Sequence, residues 1–184
     1  MLFLVAILLG VVLGYLFGGR LSNLEHLRLR GLWLVAIALL LQMLIFPLFT
    51  DQPILSVGTA ALHIVSYVLV FSFLLVNVFR ASPLLLVGAG AALNLLVISL
   101  NGGLMPASQS ALEKAGATEV LAALAESPVY GNIVLMGEST KWNALGDILY
   151  LPAWFPLART FSIGDLLVIV GLTLLIVKGM RAHE

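Results

Sequence analysis

Five apolar stretches, at about 1–18, 32–49, 58–79, 84–100 and 165–179, restrict this chain to one kind of fold. A helix needs roughly 20 apolar residues to cross a bilayer, with about 17 as the practical minimum. Lipid-facing backbone must satisfy its own hydrogen bonds, which a helix does and an open loop does not. Composition agrees: 61% of the 184 residues are hydrophobic and 10% are charged, where a soluble domain carries about 25% charged residues. The mean hydropathy is +1.14. The expected architecture is an all-α membrane protein, one integral membrane domain over residues 1–184, built as a bundle of about five transmembrane helices. The first stretch has no basic n-region after Met1 and ends in Gly18-Gly19-Arg20 without an Ala-x-Ala-like site. It therefore reads as a retained span and not as a cleaved signal peptide.

Lys and Arg sort between alternate connections. Arg20, Arg28 and Arg30 follow the first stretch, Arg80 the third, and Lys178 and Arg181 the fifth. Lys114, Lys141 and Arg159 are spread over the long connection 101–164. The positive-inside rule then predicts an outer N-terminus and a cytoplasmic C-terminus. Seven of the nine acids, Asp51, Glu113, Glu119, Glu126, Glu138, Asp147 and Asp165, fall on the outer side in this arrangement. The formal net charge of zero gives nucleic acid no electrostatic attraction, so the expected partner is the lipid bilayer itself. With no cysteine, thiol nucleophiles, disulfides and thiolate metal sites are excluded. His63 is remote in sequence from His26 and His183, so no metal site is expected, and no motif implies a cofactor. Gly10, Gly14 and Gly18, and likewise Gly88 and Ala92, repeat at four-residue spacing. Small residues so spaced let helix backbones approach closely, either inside the protein or between two copies.

The outer segment 101–164 carries most of the polar chemistry. Asn101-Gly-Gly-Leu-Met-Pro106 cannot continue a helix. Ser110-x-x-Glu113 resembles a capping box, predicting a short amphipathic helix through about Ala125 with a bend at Gly116. Residues 130–150 read as a short hairpin or irregular loop. Leu151-Pro-Ala-Trp-Phe-Pro156 is apolar and twice interrupted by proline, so a re-entrant or interfacial stretch is expected there.

Polar groups near the spans are the functional candidates. His63 lies in the third stretch, with Gln42, Asn77 and Asn94 as uncharged companions in the second to fourth. Histidine in such a setting serves either as hydrogen-bonded glue or as part of a binding site. Asn143-Ala-Leu-Gly-Asp147 and Phe161-Ser-Ile-Gly-Asp165 carry two aspartates eighteen residues apart, and residues 150–156 could fold the chain back between them. Two carboxyl groups brought together in a low-dielectric pocket share a proton, which makes an acid–base pair able to activate water. Taken singly, each aspartate also has a structural role. Ser162-x-x-Asp165 has capping-box spacing, and Asp147 follows Gly146 in turn chemistry. Asp147 and Asp165 are thus a candidate catalytic dyad, with Asn101, Asn143, Ser162 and His63 as candidate binding residues.

The combination Asn101-Gly-Gly-Leu-Met-Pro106, Leu145-Gly-Asp147-Ile148 and Phe161-Ser-Ile-Gly-Asp165 resembles a bacterial family of small multi-pass membrane proteins of unknown function, over essentially the whole chain. That resemblance implies a bacterial inner-membrane location and supplies no activity. Residues 143–177 are also similar to the end of lipoprotein signal peptidase, in which two aspartates near the outer face cleave lipid-modified prolipoproteins. Carried over, Asp147 and Asp165 would be its dyad, acting on a membrane-embedded or lipidated substrate. Here Ile148 stands where that family has arginine, Asn143 is four and not three residues before the aspartate, and Ser162 replaces an asparagine. Two readings therefore stand side by side. One is a polytopic membrane protein with a polar outer site at 101–106, 143–147 and 162–165. The other is an intramembrane aspartyl hydrolase with Asp147 and Asp165 as general base and general acid. An ion carrier is disfavoured, since no acid or base lies deep in a stretch except His63.

Overall fold

The computed structural model describes residues 2–45 and 59–182, which are mostly helical and include five short strands. Helices α1 (Leu2–Leu16), α2 (Leu32–Ile45), α3 (Thr59–Asn77), α4 (Leu84–Leu100) and α7 (Ile163–Met180) occupy the five apolar stretches. Of these, Ile163–Met180 is the one described helix that is by itself long and apolar enough to cross a membrane. Helix α1 and the 3₁₀ turn Leu21–Leu27 reach that criterion together, across a 110° bend, and the other three are shorter apolar helices. Asp51 and the side chain of His63 lie outside the described residues.

The chain divides into two compact units, one of residues up to Gly88 together with those from Val168 onward, the other Ala89–Leu167. In the first unit, Phe73, Leu74, Ala81, Leu84, Val87 and Leu175 form a buried core, and α2 packs on α3. The glycine repeat of α1 faces α7. A Cβ on Gly10 would stand 2.8 Å from Cβ of Ile176, and one on Gly14 would run into Met180. The small residues therefore serve packing within the chain. Asn77 is wholly buried and holds the turn before α2 by two bonds. Its Nδ2 donates to the Arg30 carbonyl at 2.8 Å, and its Oδ1 accepts from the Arg30 amide at 2.8 Å. Asn77→Leu leaves both backbone groups of Arg30 unpartnered. The expected cost is about 3 kcal/mol, read as a lowered midpoint in chemical denaturation of the purified protein.

Large apolar side chains of this unit point away from the core. Leu8, Leu16 and Leu75 are 62%, 74% and 74% exposed, and Phe79 is 99% exposed.

The second unit carries the strands, of which the sequence predicted only a short hairpin or irregular loop within residues 130–150. β1 (Met105–Ala107) pairs in parallel with β3 (Ile133–Leu135), and β2 (Val129–Tyr130) pairs antiparallel with β3. Helices α5 (Gln109–Lys114) and α6 (Thr118–Glu126) cover this sheet through Leu112 and Leu124, which pack with Ala107. The expected single helix is two, parted at Gly116, whose φ of +69° only glycine adopts at little cost. Its N-cap is Ser108 and not Ser110: Ser108 Oγ accepts from the Ala111 amide at 3.4 Å. Glu113 accepts instead from Gln109 Nε2. Residues 151–156, expected to be a re-entrant or interfacial stretch, are not helical. They belong to a hairpin of β4 (Leu149–Leu151) and β5 (Arg159–Phe161), with Trp154 exposed in its loop.

Candidate functional site

The β4–β5 hairpin brings the two aspartates to one place. Its register pairs Leu149 with Phe161, so Asp147 precedes one strand at the level where α7 follows the other. Asp147 is also held by its backbone. Its amide donates to the Pro106 carbonyl at 2.8 Å, and its carbonyl accepts from the Ser108 amide at 3.0 Å, extending the edge of β1. Gly146 makes this approach possible, because a Cβ there would collide with the Pro106 carbonyl oxygen.

Asp165 sits in the first turn of α7 and closes the expected capping box. The Ser162 amide donates to Asp165 Oδ2 at 3.0 Å, and the Asp165 amide donates to Ser162 Oγ at 2.9 Å. Asn94 completes the arrangement from α4. Its Nδ2 donates to Asp165 Oδ1 at 2.8 Å, and its Oδ1 accepts from Ser162 Oγ at 2.8 Å. Ser162 is fully buried. Both oxygens of Asp165 therefore accept hydrogen bonds in a fixed geometry, and the ring of Asn94, Ser162 and Asp165 closes through the backbone amides of Ser162 and Asp165.

Asp147 has the opposite surroundings. Burial, and secondarily the negative charge of Asp165, push its carboxyl from 3.8 up to about 7. The Arg159 guanidinium and a hydrogen bond with the Thr160 side chain pull the other way without cancelling the rise. The two carboxyl groups thus differ in their surroundings: burial raises Asp147, while Asp165 is held by hydrogen bonds.

Asn101 and Asn143 play other parts. Asn101 clasps the loop at Lys141: its Nδ2 donates to the Lys141 carbonyl at 2.9 Å and its Oδ1 accepts from the Lys141 amide at 2.8 Å. The next residue, Trp142, has φ +57°, a left-handed backbone that costs a bulky residue about 1 kcal/mol. The Asn101 clasp holds that turn. Asn143 opens the 3₁₀ turn Asn143–Leu145 that leads to Asp147, and its Oδ1 is buried with no hydrogen-bond partner. Of the six residues singled out in the sequence, Asp147, Asp165 and Ser162 share one site. Asn101 and Asn143 shape the segment leading to it, and the side chain of His63 lies outside the described residues. Asn94, Arg159 and Thr160 are site residues that sequence reasoning did not assign. Among the described residues no group of three or more His, Asp or Glu is placed to hold a metal ion.

The model of a family of unknown function, DUF5317, matches residues 26–177. The chain belongs to that family. The matched span takes in Asn94, Asp147, Ser162 and Asp165. No curated protein and no solved structure matches the chain.

Proposed function

We propose that this DUF5317 chain is a multi-pass protein of a bacterial inner membrane, crossing it about five times, with its N-terminus outside and its C-terminus cytoplasmic. The large apolar side chains that α1, α2 and α3 turn outward support the reading, since water penalises each one and hydrocarbon does not. Sorting of Lys and Arg supports the orientation. Reporter-enzyme fusions test it. Fusions within residues 101–164 should be active only on the outer side, and fusions after Arg181 only in the cytoplasm. The reverse pattern would overturn the orientation.

On the outer face, the site of action in this reading is the Asp147/Asp165 pair with Asn94 and Ser162. The observation that carries it is the pairing of a proton-holding carboxyl with a hydrogen-bonded one across a single hairpin. The reaction class it supports best is hydrolysis of a peptide bond in a membrane-embedded or lipidated substrate. Asp165 takes the proton of an attacking water, and Asp147 gives its proton to the carbonyl oxygen; collapse of the resulting gem-diol then breaks the C–N bond as Asp165 passes its proton to the leaving nitrogen and Asp147 recovers one from a diol hydroxyl. This makes Asp147 the acid and Asp165 the base, the reverse of the order expected from sequence, because burial raises the Asp147 carboxyl to about 7 and lets it keep a proton into the neutral range. Asp147→Asn and Asp165→Asn should each cost about 10²–10⁴-fold in turnover. Whole-membrane proteomics of cells carrying either variant should show an uncleaved substrate accumulating. A folded variant with an unchanged membrane proteome points instead to a non-catalytic polar site.

A further inference from the structure

In the first unit, the end of α7 forms one wall of an open groove of about 500 Å³, lined by Pro83, Leu174, Val177, Lys178, Arg181 and Ala182. Leu174, Val177, Lys178 and Arg181 stand at i, i+3, i+4 and i+7, so they make a single stripe along the helix. The stripe changes character within one turn. Its first half is apolar and exposed, with Leu174 at 46% and Val170 at 40% above it, while its second half ends in two cations.

Both cations are held in place, and among the described residues neither has an acidic partner. Lys178 Nζ donates to Ser82 Oγ at 3.3 Å, and the Arg181 guanidinium lies 6.0 Å from the centre of the Phe17 ring. The surrounding charge is one-sided. Among the described residues of this unit Glu25 is the only acid, against Arg20, Arg28, Arg30, Arg80, Lys178 and Arg181. Backbone bonds gather these segments at one end: the Arg20 amide donates to the Met180 carbonyl at 2.8 Å. A ligand that fits must be a long apolar body with a compact anion at its tip. A free anion would leave the Leu174–Val177 half uncovered, and a neutral lipid would leave both cations without a counter-charge.

We infer that this groove binds one anionic phospholipid, its phosphate between Lys178 and Arg181 and its acyl chain along Leu174 and Val177. The assignment rests on the membrane reading above, with the groove on the cytoplasmic side. Arginine forks onto phosphate oxygens through paired N–H groups, and lysine adds a point charge beside it.

The test uses the full chain purified in mild detergent, after a carbonate wash has established whether it stays with the membrane. Native mass spectrometry with added phosphatidylglycerol or phosphatidylcholine reads retained lipid directly. The expected result is one phosphatidylglycerol per chain and no retained phosphatidylcholine. Lys178→Gln and Arg181→Gln should each weaken retention about fivefold, the effect of one cation on an anionic headgroup. Lys141→Gln, with the same charge change in the other unit, should leave it unaltered. Arg181→Lys keeps the charge and guards against a folding artefact: it should retain more lipid than Arg181→Gln. Equal retention of the two lipids, indifference to the groove variants, or displacement by millimolar inorganic phosphate would each overturn the assignment. An integral chain with such a result loses only the lipid site, whereas a chain released by the wash loses the membrane reading and the site together.

Discussion

Asp147→Asn should make the protein more stable at about pH 8 and leave it nearly unchanged at about pH 4. The sign follows from the direction of the shift. Folding raises the Asp147 pKa from 3.8 to about 7, so between those values the folded chain holds a proton that the unfolded chain has released. Its contribution to stability is full below 3.8 and is lost progressively as the pH rises to about 7. Above that, folding carries the burden of a partly buried carboxylate beside Asp165. Asparagine has the shape and donor of the protonated acid and never ionises, so the variant should lack this pH slope. Thermal melts of wild type and variant across that range check it. A wild type whose Tm rises with pH through this window would contradict the buried, proton-holding assignment. Asp165→Asn makes a separable case. Removing its charge should lower the Asp147 pKa, but burial is the larger cause, so the value should stay above 3.8.

Gly164→Ala should be among the most damaging single changes in the second unit. A Cβ at Gly164 would collide with Asn94 Oδ1 and stand 2.7 Å from the Gly90 carbonyl oxygen. The first neighbour is part of the ring that holds Asp165, and the second is backbone of α4, which cannot swing aside as a flexible side chain can. Relief requires the start of α7 to move from α4, which breaks the Asn94–Ser162–Asp165 bonds. Overpacking and lost bonds to a charged group together should cost about 3–5 kcal/mol. Chemical denaturation gives the magnitude. A carboxyl-resolved NMR titration adds an independent readout, because Asp147 should titrate differently once Asp165 is no longer fixed. Loss of stability below about 1 kcal/mol would mean that the close approach is slack.

How far these features can be read from sequence depends on how local their causes are. Helix positions were legible because each apolar stretch carries its own signal, and the α7 cap was legible because Ser162 and Asp165 lie within one turn. The strands were legible only in part: a short hairpin was one reading of residues 130–150, where β2 meets β3, but β1 and the β4–β5 pairing were not expected. Each has two or three residues, and β1 acquires its pairing only when Ile133–Leu135 arrives from more than twenty residues away. The Ser108 cap shows the same limit. Ser110 has the better local pattern, but Ser108 is pinned by the hydrogen bond its amide N–H donates to the Asp147 carbonyl, and that bond sets where α5 begins. Asp147 read equally as a turn residue after Gly146 and as half of a carboxyl pair, since its burial depends on β1 lying alongside. Asn94 looked like an uncharged passenger in an apolar helix, because the groups it binds are about seventy residues later in the chain.

The hairpin between the two Gly-Asp pairs acts as a ruler with fixed graduations. Strand pairing moves only in whole-residue steps, and a one-residue slip turns each side chain to the other face. A single residue inserted within β4 or β5 should therefore separate the aspartates. An insertion at the exposed tip near Trp154 adds chain where loops tolerate it. The interval between the aspartates in sequence can drift while their separation in space stays constant.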